Sequence, residues 1–142
     1  NTPVYLEYAT HAKKGSRYNT PPCYPIYIAG EVFKYLLKNG GVKATHERDV
    51  EKANLLYGYL DKSEMFKPSV AKEDRSLMNI TFVTGDPELD KKFIAGAKEQ
   101  GMINLAGYRT VGGMRASTYN AMPLEGVEAL VAYMEKFENE NK

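Results

Sequence analysis

The chain has 142 residues, 15.9 kDa, 43% hydrophobic and 26% charged residues, which is the make-up of one ordinary globular domain and not of a disordered, collagen-like or coiled-coil chain. No apolar run approaches the ~20 residues that cross a bilayer, and a single cysteine, Cys23, excludes an internal disulfide framework and leaves no basis for a metal cluster. Lys and Arg number 19 against 18 Asp and Glu, so the net charge of +1 gives no pointer to nucleic acid. The chain opens at Asn1 in Asn1-Thr2-Pro3-Val4, with no basic-then-apolar leader. A trimmed N-terminus and a piece of a longer protein both fit that start.

Residues 1–22 read as an irregular lead-in, broken by Pro3, Gly15, Pro21 and Pro22, with one short strand near Val4–Tyr8. Thr20-Pro21-Pro22 then reads as a helix start, because Thr accepts backbone N–H bonds and proline is tolerated in a first turn. Ile26, Ala29, Phe33 and Leu37 recur at helical spacing, and Val32 and Leu36 widen their stripe. Asn39-Gly40-Gly41 stops that helix. A second helix is predicted from about Val42 to Leu60, with Val42, His46, Val50, Ala53, Tyr57 and Leu60 inward. Pro68 falls in a loop.

Leu77–Val83 reads as a strand, with Met78, Ile80 and Phe82 alternating against Asn79 and Thr81. Asp86-Pro87 caps a helix whose buried stripe is Leu89, Phe93, Ile94 and Ala97, and Gly101 ends it. Ile103–Gly107 and Met114–Tyr119 are predicted strands flanking Gly112-Gly113. Pro123 opens a last helix with Leu124, Val127, Val131, Met134 and Phe137 on one face. The acidic residues Glu135, Glu138 and Glu140 read as its solvated end. The order implies an α+β fold, a two-layer small domain in which a short sheet is covered by helices.

Charge is most uneven in residues 100–124, which hold Arg109 and Arg115 and no Asp or Glu. A guanidinium is a planar fork matched to carboxylate or phosphate, so two of them beside a double glycine suggest an anion site; two surface arginines, solvated or paired with distant acids, are the reading that spacing alone favours. A two-residue hairpin at Gly112-Gly113 would point Arg109 and Arg115 to opposite faces. One ligand held by both requires a looser loop or a bulge. Asn19 and Thr20, before the predicted helix start, form a second candidate, since a helix N-terminus favours anions. A plain capping turn is the competing reading. His46 reads as a packed residue, His11 has no assignable role, and Cys23 reads as structural.

Ser16-Arg17-Tyr18-Asn19-Thr20-Pro21-Pro22 resembles the S-x-Y-N-T-P-P segment of the phosphoserine aminotransferase family. Gly107–Val127, which reads GYRTVGGMRASTYNAMPLEGV, is similar to that family's G-H-R-x-V-G-G-M-R-A-S-x-Y-N-A-M-P-x-E-G-V signature. Asn39-Gly40-Gly41, Asp74-Arg75-Ser76 and Met78-Asn79 fall where the family has like motifs. The resemblance runs in order from about residue 5 to the C-terminus. It implies a class V, fold type I enzyme dependent on pyridoxal 5'-phosphate (PLP), cytoplasmic and homodimeric, with active sites at the subunit interface. The implied reaction moves an amino group between glutamate and 3-phosphohydroxypyruvate, giving phosphoserine and 2-oxoglutarate in serine biosynthesis. No metal, membrane or nucleic-acid partner is implied.

The resemblance further implies that this is the C-terminal part only, residues 1–22 leading in from a large domain and 23–142 forming the small one. Asn19 and Thr20 match the pair that binds the cofactor phosphate, across the subunit boundary. Arg115 matches the arginine that holds the substrate α-carboxylate, and Arg109 one that helps hold the distal phosphate or carboxylate. Tyr108 stands where the family usually has histidine, which removes a cation from distal-anion binding. No lysine here lies in a segment matching the family's catalytic-lysine motif, so the isolated chain is expected to be inactive. A class V relative with other substrates and a free-standing anion-binding module are the alternatives.

Overall fold

The protein is described here from a computed structural model covering residues 2–142; Asn1 lies outside the described residues. The chain divides into two compact units, Asn1–Gly41 and Val42–Lys142.

In the first unit the expected strand near Val4–Tyr8 is replaced by a 3₁₀ turn, Val4–Leu6, and a short helix α1, Tyr8–Lys13. The amide of Leu6 bonds the carbonyl of Pro3 at 2.8 Å, so this segment satisfies its backbone locally instead of through a neighbouring strand. His11 acquires a role: its Nε2 lies 2.6 Å from the Tyr5 carbonyl, and its ring meets Tyr5 and Tyr18 edge-on at 5.5 and 5.8 Å. Helix α2 runs Cys23–Lys38, later than expected. Thr20 is not its cap; Pro22 holds that position and offers no side-chain bond. The reason is the proline pair, which disfavours helical geometry at the residue before each ring. α2 ends at Asn39, whose side-chain amide donates to the Tyr35 carbonyl at 2.7 Å, and Gly40 follows at φ +91. None of the α2 residues is buried.

The second unit is the α+β body. Its three-stranded antiparallel sheet has the order β1-β2-β3, with β1 Lys67–Pro68, β2 Asn79–Val83 and β3 Met114–Ser117. Pro68, expected in a loop, sits in the edge strand, where its missing N–H breaks no interior ladder bond. Helix α3 runs Gly41–Leu60, α4 Pro87–Glu99 and α5 Leu124–Glu140. The Asp86 carboxylate accepts the Glu88 amide at 2.9 Å and Pro87 occupies the first turn of α4, as its sequence predicts.

The sheet buries one face. Ile80 opposes Ala116 and Phe82 opposes Met114; all four are buried against Leu56, Phe93, Met134 and Phe137 from the three helices. Phe66, just before β1, is fully buried among the rings of Phe82, Phe93 and Phe137 at 5.9, 5.0 and 6.1 Å. The expected strand Ile103–Gly107 shrinks to one bridge, Ala106 to Met114, because Asn104 takes a left-handed turn at φ +63.

Helix α3 is rotated from its predicted face. Thr45, Asp49, Lys52, Ala53, Leu56 and Leu60 are buried, whereas Val42 and His46 are exposed. The Lys52 ammonium lies 3.0 Å from Asp49 Oδ1 and donates to the carbonyls of Thr118, Tyr119 and Met122 at 3.0–3.1 Å. An ammonium satisfied in this way is buried, with its counter-ion, where the sequence predicts an apolar stripe. Glu138 is also buried rather than solvated. Its carboxylate accepts from Tyr59 and Ser63, each at 2.6 Å, and from the amides of Glu64 and Met65 at 3.1 and 3.3 Å. The Asp74-Arg75-Ser76 motif serves this scaffold: Arg75 grips Asp61 through two bonds of 2.9 and 2.6 Å, and Tyr57 donates to the Ser76 carbonyl at 3.0 Å.

Candidate functional site

The double-glycine bend is wider than a tight hairpin. Gly107 donates to the Gly113 carbonyl at 2.8 Å and Arg115 to the Leu105 carbonyl at 2.8 Å. Residues 108–112 therefore form an excursion outside the ladder, closed by Val111 and Gly112 amides on the Tyr108 carbonyl at 2.9 and 2.8 Å. Glycine is required at both feet. A Cβ on Gly107 would strike the Gly112 carbonyl, and one on Gly113, at φ +66, would lie 2.6 Å from Val83 Cγ1. The looser loop that a ligand shared by Arg109 and Arg115 would need is present.

Tyr108 and Arg109 sit on this excursion and are exposed. Arg115 lies in β3 directly opposite Thr81, on the sheet face away from the core, and is half-buried. Neither arginine takes part in an ion pair among the described residues, and Arg115 Nε is enclosed without a hydrogen-bond partner. An unpaired, part-buried guanidinium retains donors for an anionic ligand. The same face carries Asn79 and Ser117, and Asn79 Oδ1 accepts from Tyr119 Oη at 3.3 Å and Ser117 Oγ at 3.4 Å. Arg115, Ser117, Tyr119 and Met122 share a cleft of about 830 Å³ with Met102 and Ile103.

Asn19 and Thr20 stand in the first unit, exposed, in the bend before α2. The Cys23 amide is taken by the Pro21 carbonyl at 2.9 Å, so their side chains are not consumed in capping the helix. Cys23 is exposed. Among the described residues no cluster of His, Cys, Asp or Glu is arranged to hold a metal, and no helix is long and apolar enough to cross a membrane. Sequence reasoning missed Lys52, Glu138 and Phe66. Each is held by partners far along the chain, which local spacing does not report.

The family model for class-V aminotransferases matches residues 1–130. The chain belongs to the class-V aminotransferases. Among its relatives in that family, a phosphoserine aminotransferase of Pseudoalteromonas translucida is 52% identical over 98% of this chain and 39% of its own length. The solved structure of phosphoserine aminotransferase from Bacillus circulans subsp. alkalophilus is similar with a TM-score of 0.91 and 41% identity, over 99% of this chain and 39% of that one. The PLP-bound phosphoserine aminotransferase of Trichomonas vaginalis follows at TM-score 0.83 and 36% identity, over 94% of this chain and 39% of that one. The chain thus spans 39% of the length of these relatives and is a partial chain of this family. The small α+β body with its three-stranded antiparallel sheet agrees with a small domain of a fold type I enzyme.

Proposed function

We propose that this chain is the C-terminal part of a phosphoserine aminotransferase, residues 1–22 leading in from the large domain and 23–142 forming the small one. The whole protein exchanges an amino group between glutamate and 3-phosphohydroxypyruvate, yielding phosphoserine and 2-oxoglutarate, and acts in the cytoplasm as a homodimer in serine biosynthesis. The observation that carries this reading is the half-buried, unpaired Arg115 beside a glycine-footed loop bearing Arg109, in a chain 52% identical to a phosphoserine aminotransferase.

Each residue has a role within that reading. Arg115 binds the α-carboxylate common to glutamate and phosphoserine, since its fork matches two carboxylate oxygens. Arg109, exposed on the loop, takes the distal phosphate or carboxylate. Tyr108 adds a neutral hydroxyl donor where the family usually has histidine, so discrimination among distal anions rests more heavily on Arg109. That exchange leaves a class V relative with a different distal group as the second reading. Asn19 and Thr20 fit a cofactor phosphate: an amide and a hydroxyl, exposed and unused by α2, offer it donors. PLP, when bound, supplies the electron sink for amino transfer. The lysine that moves the α-proton lies outside this chain, so the 142 residues alone bind substrate anions without transaminating.

The test is a transamination assay of the full-length protein with PLP, 2-oxoglutarate and a panel of amino donors. Glutamate formation from phosphoserine, far exceeding that from serine, alanine or aspartate, is the expected result. Preference for an unphosphorylated donor would replace this reading with the second one.

A further inference from the structure

Lys52 is 2% exposed and stands on α3, an element that carries none of the proposed ligand-binding residues. Its ammonium faces four oxygens: Asp49 Oδ1 at 3.0 Å and the carbonyls of Thr118, Tyr119 and Met122 at 3.1, 3.0 and 3.1 Å. Three of the four belong to residues 118–122, the loop between β3 and α5. That loop starts three residues after Arg115, and its Tyr119 and Met122 share the cleft with Arg115. Its other side is pinned to β2 and the residues before it. The Thr118 amide and hydroxyl donate to the carbonyls of Met78 and Leu77 at 2.8 and 3.2 Å, and Tyr119 Oη donates to Asn79 at 3.3 Å.

A buried ion pair is a poor way to gain stability, because desolvation offsets most of the attraction and apolar pairs of similar volume often do as well. What an apolar pair lacks is a point donor able to draw three carbonyls to one spot. The arrangement therefore fixes geometry rather than adding free energy.

Resting on the proposed aminotransferase function, we infer that Lys52, neutralised by Asp49, is a positioning residue: it holds residues 118–122 as the fixed wall of the cleft in which Arg115 receives the substrate α-carboxylate. It acts through the loop and touches no substrate. Loss of the anchor lets the wall relax, which weakens carboxylate docking at every substrate while leaving the chemical groups in place.

The experiment uses the full-length holoenzyme with the double change Asp49→Leu and Lys52→Met, which removes both charges together and leaves no lone buried ion. Lys43→Met, which removes an exposed lysine of the same helix, is the control. Affinity for 2-oxoglutarate is read by calorimetry, and KM and kcat for glutamate and phosphoserine by assay. The double variant is expected to retain its fold by circular dichroism, weaken 2-oxoglutarate binding and raise both KM values by about tenfold, with kcat within about twofold; Lys43→Met stays within about twofold of wild type throughout. A folded double variant with wild-type Kd and KM overturns the inference, and so does an equal rise in KM for Lys43→Met. Should the double variant fail to fold, Lys52→Arg decides: its planar fork does not converge on three carbonyls, so KM rises, and an unchanged KM overturns the inference. A wild-type enzyme that binds 2-oxoglutarate but ignores phosphoserine refutes the proposed activity alone, and calorimetry still decides the role of Lys52.

Discussion

Tyr59 of α3 donates to the Glu138 carboxylate of α5 at 2.6 Å, and this contact ties the two helices through residues 79 apart in sequence. Burial alone would raise the pKa of Glu138. The hydrogen bonds from Ser63, Tyr59 and the Glu64 and Met65 amides outweigh it and bring the value to about 2 from an ordinary 4.5. A carboxyl depressed in the folded state contributes stability that is present above its unfolded pKa and lost as pH falls through the folded one. The contribution is therefore present above about pH 4.5 and lost between there and about pH 2. The shift corresponds to an order of 3 kcal/mol. Urea unfolding across pH 2–7 should show Glu138→Gln less stable than wild type by roughly 2–3 kcal/mol at neutral pH, with the gap closing as pH falls. A pH-independent gap would contradict the account.

The aromatic cluster gives a second expectation. Phe66 is fully buried among three other phenylalanines, and truncation leaves a cavity that rigid neighbours do not fill. Phe66→Ala should cost about 3–5 kcal/mol, read as a fall in the unfolding midpoint. Loss of less than about 1 kcal/mol would mean that the core collapses onto the space.

Gly113 is required twice over, by its φ of +66 and by the 2.6 Å that would separate a Cβ from Val83 Cγ1. Gly113→Ala should lower stability by about 1–3 kcal/mol and raise KM by moving the loop that carries Arg109. Gly112, at φ +79 with open space around its Cβ position, gives the contrast: Gly112→Ala adds backbone strain alone. Thermal unfolding of the two variants side by side separates crowding from strain.

Much of the scaffold was legible in the sequence. Asp86-Pro87 marks α4, Pro123 and the stripe through Val127, Met134 and Phe137 mark α5, and alternation at Ile80 and Phe82 marks β2, because each signal is local. The misreadings share a cause. Helical spacing points His46 and Val42 inward, but α3 instead buries Asp49 and Lys52, whose partners are the adjacent turn of α3 and carbonyls more than sixty residues away. Glu138 read as solvated for the same reason. At the candidate site, charge patterning singled out Arg109 and Arg115 without choosing between an anion site and two surface arginines, and the loop between Gly107 and Gly113 is wider than a two-residue hairpin. The helix-start argument offered Asn19 and Thr20 as candidates, and family resemblance supplied the roles. Thr20 and two prolines satisfy the local signal for a helix start, but the prolines disfavour helical geometry before them and α2 begins at Cys23.

Arg115 and a lysine in its place are not equivalent for a carboxylate. Arg115→Lys keeps the charge but loses the paired donors, so KM for glutamate and phosphoserine should rise together, by about tenfold, an effect near 1.4 kcal/mol. Arg115→Ala should raise both further. A rise for phosphoserine alone would move Arg115 from the α-carboxylate to the distal group.

The most direct measurement is the ratio of kcat/KM for phosphoserine to that for serine in the full-length enzyme, before and after Arg109→Ala. The account predicts a ratio that strongly favours phosphoserine in wild type and falls by about tenfold or more in the variant, with turnover of serine little changed. Equal losses for both donors, or a wild-type ratio near one, would contradict it.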